Sequence, residues 1–196
     1  MSKECLVFHV QLAEITSAIW RRFEIRAEGT FWHLHCAIQD AMGWKDMHLH
    51  EFQFPSGDAA TRIGITGFEE TEEDWKLLAS WETPLLDWFV APPAQCRYLY
   101  DFGDDWLHTL ILESRRPAEK GGRYPRCTAG ERQCPPEDVG GPWGYAEFLE
   151  AMSNPRHSEH GSYREWIGGS WNAEHFRPED VVFSRPSTRL RRAGLA

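Results

Sequence analysis

The sequence predicts an α+β fold: a mostly antiparallel sheet with a helix packed across it, a central hairpin and C-terminal helices. Three observations lead there. Two alternating apolar runs near the N-terminus are close enough to pair, an amphipathic helical stretch follows them, and a second pair of alternating runs flanks Gly103. In the first run Leu6, Phe8, Val10 and Leu12 alternate with His9 and Gln11. After a turn-like stretch over residues 14–17, Ile19, Arg21, Phe23 and Ile25 repeat the two-residue period, so the two runs should form a hairpin.

Thr30 is placed to cap a helix whose inner face carries Phe31, Leu34, His35, Ile38, Ala41 and Met42, and Gly43 to end it. His48, His50, Phe52 and Phe54 share one side of a further strand, closed by Pro55, Ser56 and Gly57. The acidic run Glu69, Glu70, Glu72, Glu73, Asp74 reads as a solvated loop or helix start. Leu85, Leu86 and Trp88 read as a short amphipathic turn that Pro92 and Pro93 stop.

Gly103 and Asp104 suit a two-residue type II′ hairpin loop, in which Asp101 faces Trp106 and Leu99 faces His108. Trp106, His108, Leu110 and Leu112 then share one face, and Leu107, Thr109, Ile111 and Glu113 the other. Both faces are apolar enough to predict burial on both sides. Residues 121–142 read as irregular. Tyr145, Phe148, Leu149 and Met152 mark a helix, a shorter one is expected over 162–167, and a last strand over 181–183. One domain should span residues 1–183, leaving 184–196 as a basic tail with Arg185, Arg189, Arg191 and Arg192.

Composition narrows the function. A chain of 196 residues that is 41% hydrophobic, with ten Trp and eleven Phe, can bury a packed core. Its net charge of −9 argues against nucleic acid as a partner. No apolar run approaches the roughly 18 residues of a membrane span. The opening Met-Ser-Lys-Glu leads straight into a strand, and the five cysteines form no secreted framework. A cytoplasmic location with free thiols is expected, with no membrane partner.

The chemistry centres on residues 98–108. Asp101, Asp104 and Asp105 either accept backbone N–H groups in the turn or line a polar pocket, where Asp101 or Asp105 holds a cation or acts as a base. His108 is either a core histidine or the titratable partner of Asp101. Six residues lie between Cys127 and Cys134, not the spacing of a zinc knuckle. These thiols could still join His108, or the His48/His50 pair, in a mixed thiolate–imidazole zinc site; otherwise no cofactor is expected. Residues 135–142, with Glu137 and Asp138, make a rigid, sharply turned loop. Phosphate-cradling glycine loops with Lys, Gly-x-Ser-x-Gly elbows and His-Glu-x-x-His helices are absent from the sequence.

The expected contact surface therefore combines Tyr100, Asp101, Asp104, Asp105, Trp106 and His108 with Glu137, Asp138 and Tyr145. Tyr100 and Trp106 would be its aromatic walls. It reads as a non-catalytic binding module for a protein or small ligand. One alternative is a metal-dependent hydrolase-like enzyme using Cys127, Cys134, His108 and nearby carboxylates. Another is an accessory DNA-binding protein acting through the arginine tail.

Several of these motifs resemble the plasmid pRiA4b ORF-3-like family. They are Ile19-Trp20-Arg21-Arg22, Leu34-His35, Ala41-Met42-Gly43-Trp44 and His48-Leu49-His50-Glu51-Phe52. Further ones are Tyr100-Asp101-Phe102-Gly103-Asp104-x-Trp106-x-His108 and Cys134-Pro135-Pro136-Glu137-Asp138-x-Gly140-Gly141. Gly144-Tyr145, Glu165-Trp166 and Phe176 also fit, so the resemblance covers about residues 5 to 183. It implies an α+β domain associated with plasmids or mobile elements, some members carrying a TnpR-type label, and it implies no particular activity. A recombinase needs a nucleophile, arginines around the scissile phosphate and a DNA-binding element. The charge of this chain has the wrong sign for that role.

Overall fold

The computed structural model describes residues 4–56, 59–66 and 77–195. Among them, strands β1 (Glu4–Leu12), β2 (Trp20–Arg26), β3 (His50–Ser56), β4 (Ala59–Gly64), β5 (Leu77–Ala79), β6 (Ala94–Tyr100), β7 (Trp106–Pro117) and β8 (Arg126–Glu131) form one sheet. Its order is β5-β4-β3-β6-β7-β1-β2-β8. Neighbours are antiparallel except β4 and β5, which run parallel. Helices α1 (Phe31–Met42), α2 (Gly141–Ser153), α3 (His160–Ile167) and α4 (Pro186–Arg192) complete the α+β architecture. The acidic run at 69–74 lies outside the described residues.

The two-residue period sets the core. Leu6, Phe8, Val10 and Leu12 of β1 are buried beside Trp106, His108, Leu110 and Leu112 of β7, with Phe8 opposite Leu112 and Val10 opposite Leu110. The residues expected on the inner face of α1 are all buried in this core. Thr30 and His33 form its capping box, the His33 ring nitrogen accepting the Thr30 N–H at 3.2 Å in place of the usual Glu. Gly43, at φ 87°, ends the helix.

Trp32, Cys36, Ala37 and Gln39 are buried as well: Ala37 joins the core, Gln39 donates to the Tyr98 hydroxyl at 3.1 Å, and α4 lies against α1. Trp32 donates its indole N–H to Pro186 O at 2.9 Å, and Asp40 accepts the Ser184 N–H at 2.8 Å. Residues 184–192 are thus not a detached basic tail. Arg189 lies between Asp40 and Asp46, its Nη1 3.2 Å from an Asp46 oxygen.

Three further expectations need correction. Tyr100 pairs with Trp106 and Tyr98 with His108, so the hairpin loop has five residues, 101–105, rather than two. Asp101 (φ 59°) and Asp105 (φ 54°) take the left-handed positions that the type II′ reading gave to Gly103, and Asp101 Oδ1 accepts the Gly103 N–H at 2.9 Å. The second face of the hairpin is only half-buried at Leu107, Thr109 and Ile111. Glu113 at its far end pairs with Arg22 of β2 at 2.7 Å, which an apolar layer would desolvate at a cost. Residues 181–183 form no strand; they follow a 3₁₀ turn over Pro178–Asp180.

Candidate functional site

Three loops meet at one end of the sheet: 43–49 after α1, the hairpin loop 101–105, and the proline-rich loop 134–140. Each turns through an aspartate in the left-handed region: Asp46 (φ 60°), Asp101, Asp105 and Asp138 (φ 60°). They are four of the six non-glycine residues with positive φ among those described, so unfavourable backbone geometry is concentrated here.

The loops are stitched together by hydrogen bonds. Asp101 N–H donates to Leu49 O at 2.9 Å, and Gly140 N–H to Asp104 Oδ2 at 3.1 Å. Trp44 donates its indole N–H to Pro135 O at 3.0 Å, and Lys45 N–H donates to Glu137 at 2.8 Å. Tyr100 accepts the Met47 N–H at 3.0 Å and donates its hydroxyl to Glu137. Burial first, and then the Glu137 carboxylate, push the Tyr100 phenol well above its ordinary value, so it stays a neutral donor.

Gly141 makes the closest approach. Its φ is 68°, and a β-carbon there would overlap the main-chain carbonyl of Asp104. Gly141→Ala is expected to cost about 1–3 kcal/mol and to push the hairpin loop off the start of α2. Urea denaturation measures the cost.

At the centre of the junction His48 Nε2 lies 2.9 Å from Asp138 Oδ1 and 3.5 Å from Asp101 Oδ2. One ligand atom from each of the three residues falls within 4.8 Å of the others. Asp101 is nearly buried, His48 half-buried, and Asp138 open to solvent at 68% exposure. One imidazole faces two carboxylates, an arrangement able to hold a cation.

The expected contact residues divide between this junction and its supports. Asp101, Asp104, Glu137 and Asp138 are brought together as the sequence suggested, and Asp105 is exposed at the hairpin tip. Tyr100 and Trp106 are buried supports rather than open aromatic walls, and Tyr145 packs in the core against Phe148. His108 is not the partner of Asp101. It is fully buried on the core face of β7, with Nδ1 at 2.9 Å from Trp106 O and 3.2 Å from Tyr98 O, and burial pushes it down to about 4.

The expected ligand set of His108, Cys127 and Cys134 does not converge. Cys127 lies on β8 and His108 on β7, three strand steps or about 14 Å apart, with β1 and β2 between them. The Cys127 thiol donates to main-chain carbonyls of Arg22 and Ala129, while Cys134 is buried and pushed up to about 12. The His48/His50 pair is split too: His48 precedes β3 in the loop, and His50 is buried with its ring stacked on His35 at 3.6 Å. Sequence reasoning weighed His48 only with the cysteines. No signal in the sequence placed it beside the two aspartate-bearing loops, which only the assembled sheet brings to it.

Two cavities flank loop 43–49. One, of about 680 Å³, lies between it, the proline-rich loop and residues 166–182; the other, of about 730 Å³, lies between it and α4.

Comparison with known proteins agrees with this architecture. The family model for plasmid pRiA4b ORF-3-like proteins matches residues 4–180. The uncharacterized protein y4hQ of Sinorhizobium fredii is 37% identical over 164 residues, covering 82% of this chain and 79% of that protein. A crystal structure of MM3350 from Methanosarcina mazei Go1, a protein of unknown function, is similar at a TM-score of 0.83 and 37% identity. It covers 93% of this chain and 100% of that one. A match over nearly the whole length places the chain: it belongs to the plasmid pRiA4b ORF-3-like family.

Proposed function

We propose that the protein is a non-catalytic binding module whose contact surface is the three-loop junction, and that His48, Asp101 and Asp138 hold a divalent cation there. The observation that carries this reading is the approach of one imidazole nitrogen and two carboxylates, from three separate loops, to within 4.8 Å. One nitrogen and two oxygen donors suit Zn²⁺ or Mn²⁺. The exposure of Asp138 would leave coordination positions for water or for an acidic group of a partner. The thiols considered as metal ligands favour the non-catalytic reading, since burial raises both Cys127 and Cys134 and holds them protonated at neutral pH.

Titration calorimetry of metal-free protein with Zn²⁺ tests the proposal. One stoichiometric site is expected, weakened at least about tenfold by Asp138→Asn and by His48→Ala. Both side chains are open enough to solvent for these variants to keep the fold. Equal Zn²⁺ binding by wild type and the double variant would refute it. The open coordination positions also favour a second reading, a metal-dependent hydrolase. Metal-dependent turnover of generic ester or phosphoester substrates, lost in His48→Ala, would select that reading instead.

A further inference from the structure

Arg21 lies on the core face of β2 and is 2% exposed. Burial lowers its pKa, yet a guanidinium starts so high that it remains a cation at neutral pH. Its Nε donates to Ala41 O at 2.8 Å, at the last turn of α1. Its Nη1 donates to Trp20 O at 2.8 Å and Glu131 O at 2.9 Å, and the Phe176 ring lies flat against it at 3.7 Å. These carbonyls satisfy hydrogen bonds and leave the formal charge unmatched. Among the described residues Nη2 has no acceptor, and no carboxylate pairs with the group. A buried cation without a counter-anion is costly.

Arg21 lines the cavity of about 680 Å³, a size typical of small-molecule sites. The carboxylates on the same cavity are engaged elsewhere. Asp40 pairs with Arg189, Glu137 accepts from Tyr100, Asp138 contacts His48, and Asp180 pairs with Arg177. The rest of the wall is rich in indole: Trp44, Trp166 and Trp171 line it, and Trp166 is 48% exposed at its edge. Such a wall offers flat apolar contact to an organic body.

We propose that this cavity binds a small organic anion, its carboxylate paired with Arg21 and its aromatic or aliphatic body laid against Trp44, Trp166 and Trp171. The ligand supplies the negative charge that the described residues do not place beside Arg21. The cavity shares Asp138 with the cation site at the junction, but the Arg21 contact needs no metal bound there.

The test uses tryptophan fluorescence and calorimetry on the full chain, in EDTA so that no metal contributes. The probes are aryl and alkyl monocarboxylates headed by phenylacetate, each compared with its uncharged amide, here phenylacetamide. Saturable binding of at least one carboxylate is expected, with its amide bound at least about tenfold more weakly, the discrimination expected when a buried charge is left unpaired. Trp166→Ala should weaken the carboxylate several-fold in protein that still unfolds cooperatively, though its ring also packs on Phe148 and Tyr163, and Arg21→Met should erase the preference over the amide. If Arg21→Met does not fold, the carboxylate–amide comparison and Trp166→Ala decide alone. Binding should persist in His48→Ala, which separates this outcome from that of the junction. Equal binding of each acid and its amide, or no saturable binding by any carboxylate in the series, would overturn the proposal.

Discussion

Acidification from neutral pH toward about 4 is expected to cost this protein several kcal/mol of stability, most of it before its carboxylates titrate. The cause is three imidazoles buried as neutral rings: His35, His50 and His108. Burial pushes His108 from 6.5 down to about 4, lowers His50 well below its ordinary value with help from His35, and lowers His35 although the Asp46 hydrogen bond pulls it upward. An imidazole with a depressed folded pKa binds fewer protons folded than unfolded, so stability falls as pH falls. The His108 contribution is complete above its unfolded value of 6.5 and lost by about 4, on the order of 3 kcal/mol. Urea denaturation at a series of pH values reads this slope, and a flat profile between 6.5 and 4 would contradict it.

His50 adds a sharper form of the same prediction. Among the described residues neither ring nitrogen has a partner, and the ring is enclosed by His35, Trp32, Phe52 and Tyr98. A buried polar group without hydrogen bonds is a standing cost. His50→Leu is therefore expected to raise stability at neutral pH by about 1–2 kcal/mol and to shallow the acid slope.

Arg189→Ala is expected to cost about 2–4 kcal/mol, as the loss of one partner of a largely buried ion pair does. Its guanidinium, 14% exposed, joins Asp40, Asp46 and the Ser184 hydroxyl (2.8 Å), and so fastens α4 to α1. Burial works to raise the Asp46 carboxyl, but the His35 hydrogen bond and the Arg189 charge more than offset it and hold it below its ordinary value. Asp46 in turn accepts from His35 at 2.7 Å, and the other His35 nitrogen meets the Tyr98 hydroxyl at 2.8 Å. Removing the cation leaves two carboxylates against one core histidine, and Asp40→Asn in the same chain should recover part of the loss. A cost below about 1 kcal/mol would mark Arg189 as an ordinary surface pair instead.

The parts legible in the sequence are those where local signals agree. β1, β2 and α1 carry clear periods, a cap at Thr30 and a stop at Gly43, and each lies where those signals put it. The hairpin was legible in position but not in register, because Gly103 suggested a two-residue loop while two aspartates take the left-handed turns. β8 was not legible. Its Arg-Cys-Thr-Ala-Gly-Glu stretch pairs with only one neighbour at the sheet edge and has no apolar alternation to betray it. The meeting of the hairpin and the proline-rich loop could be anticipated from their composition. The place of His48 could not, since it lies 90 positions from Asp138 and only the assembled sheet brings them together. Arg21 was hidden differently, as a charged residue in an inward register position between Ile19 and Phe23.

Diffraction at the metal absorption edge, from crystals grown with Zn²⁺, examines the junction most directly. An anomalous peak bonded at once to His48 Nε2 and to carboxylate oxygens of Asp101 and Asp138 is the expected result. A metal-free junction under saturating Zn²⁺, with His48 still hydrogen-bonded to Asp138, would contradict it.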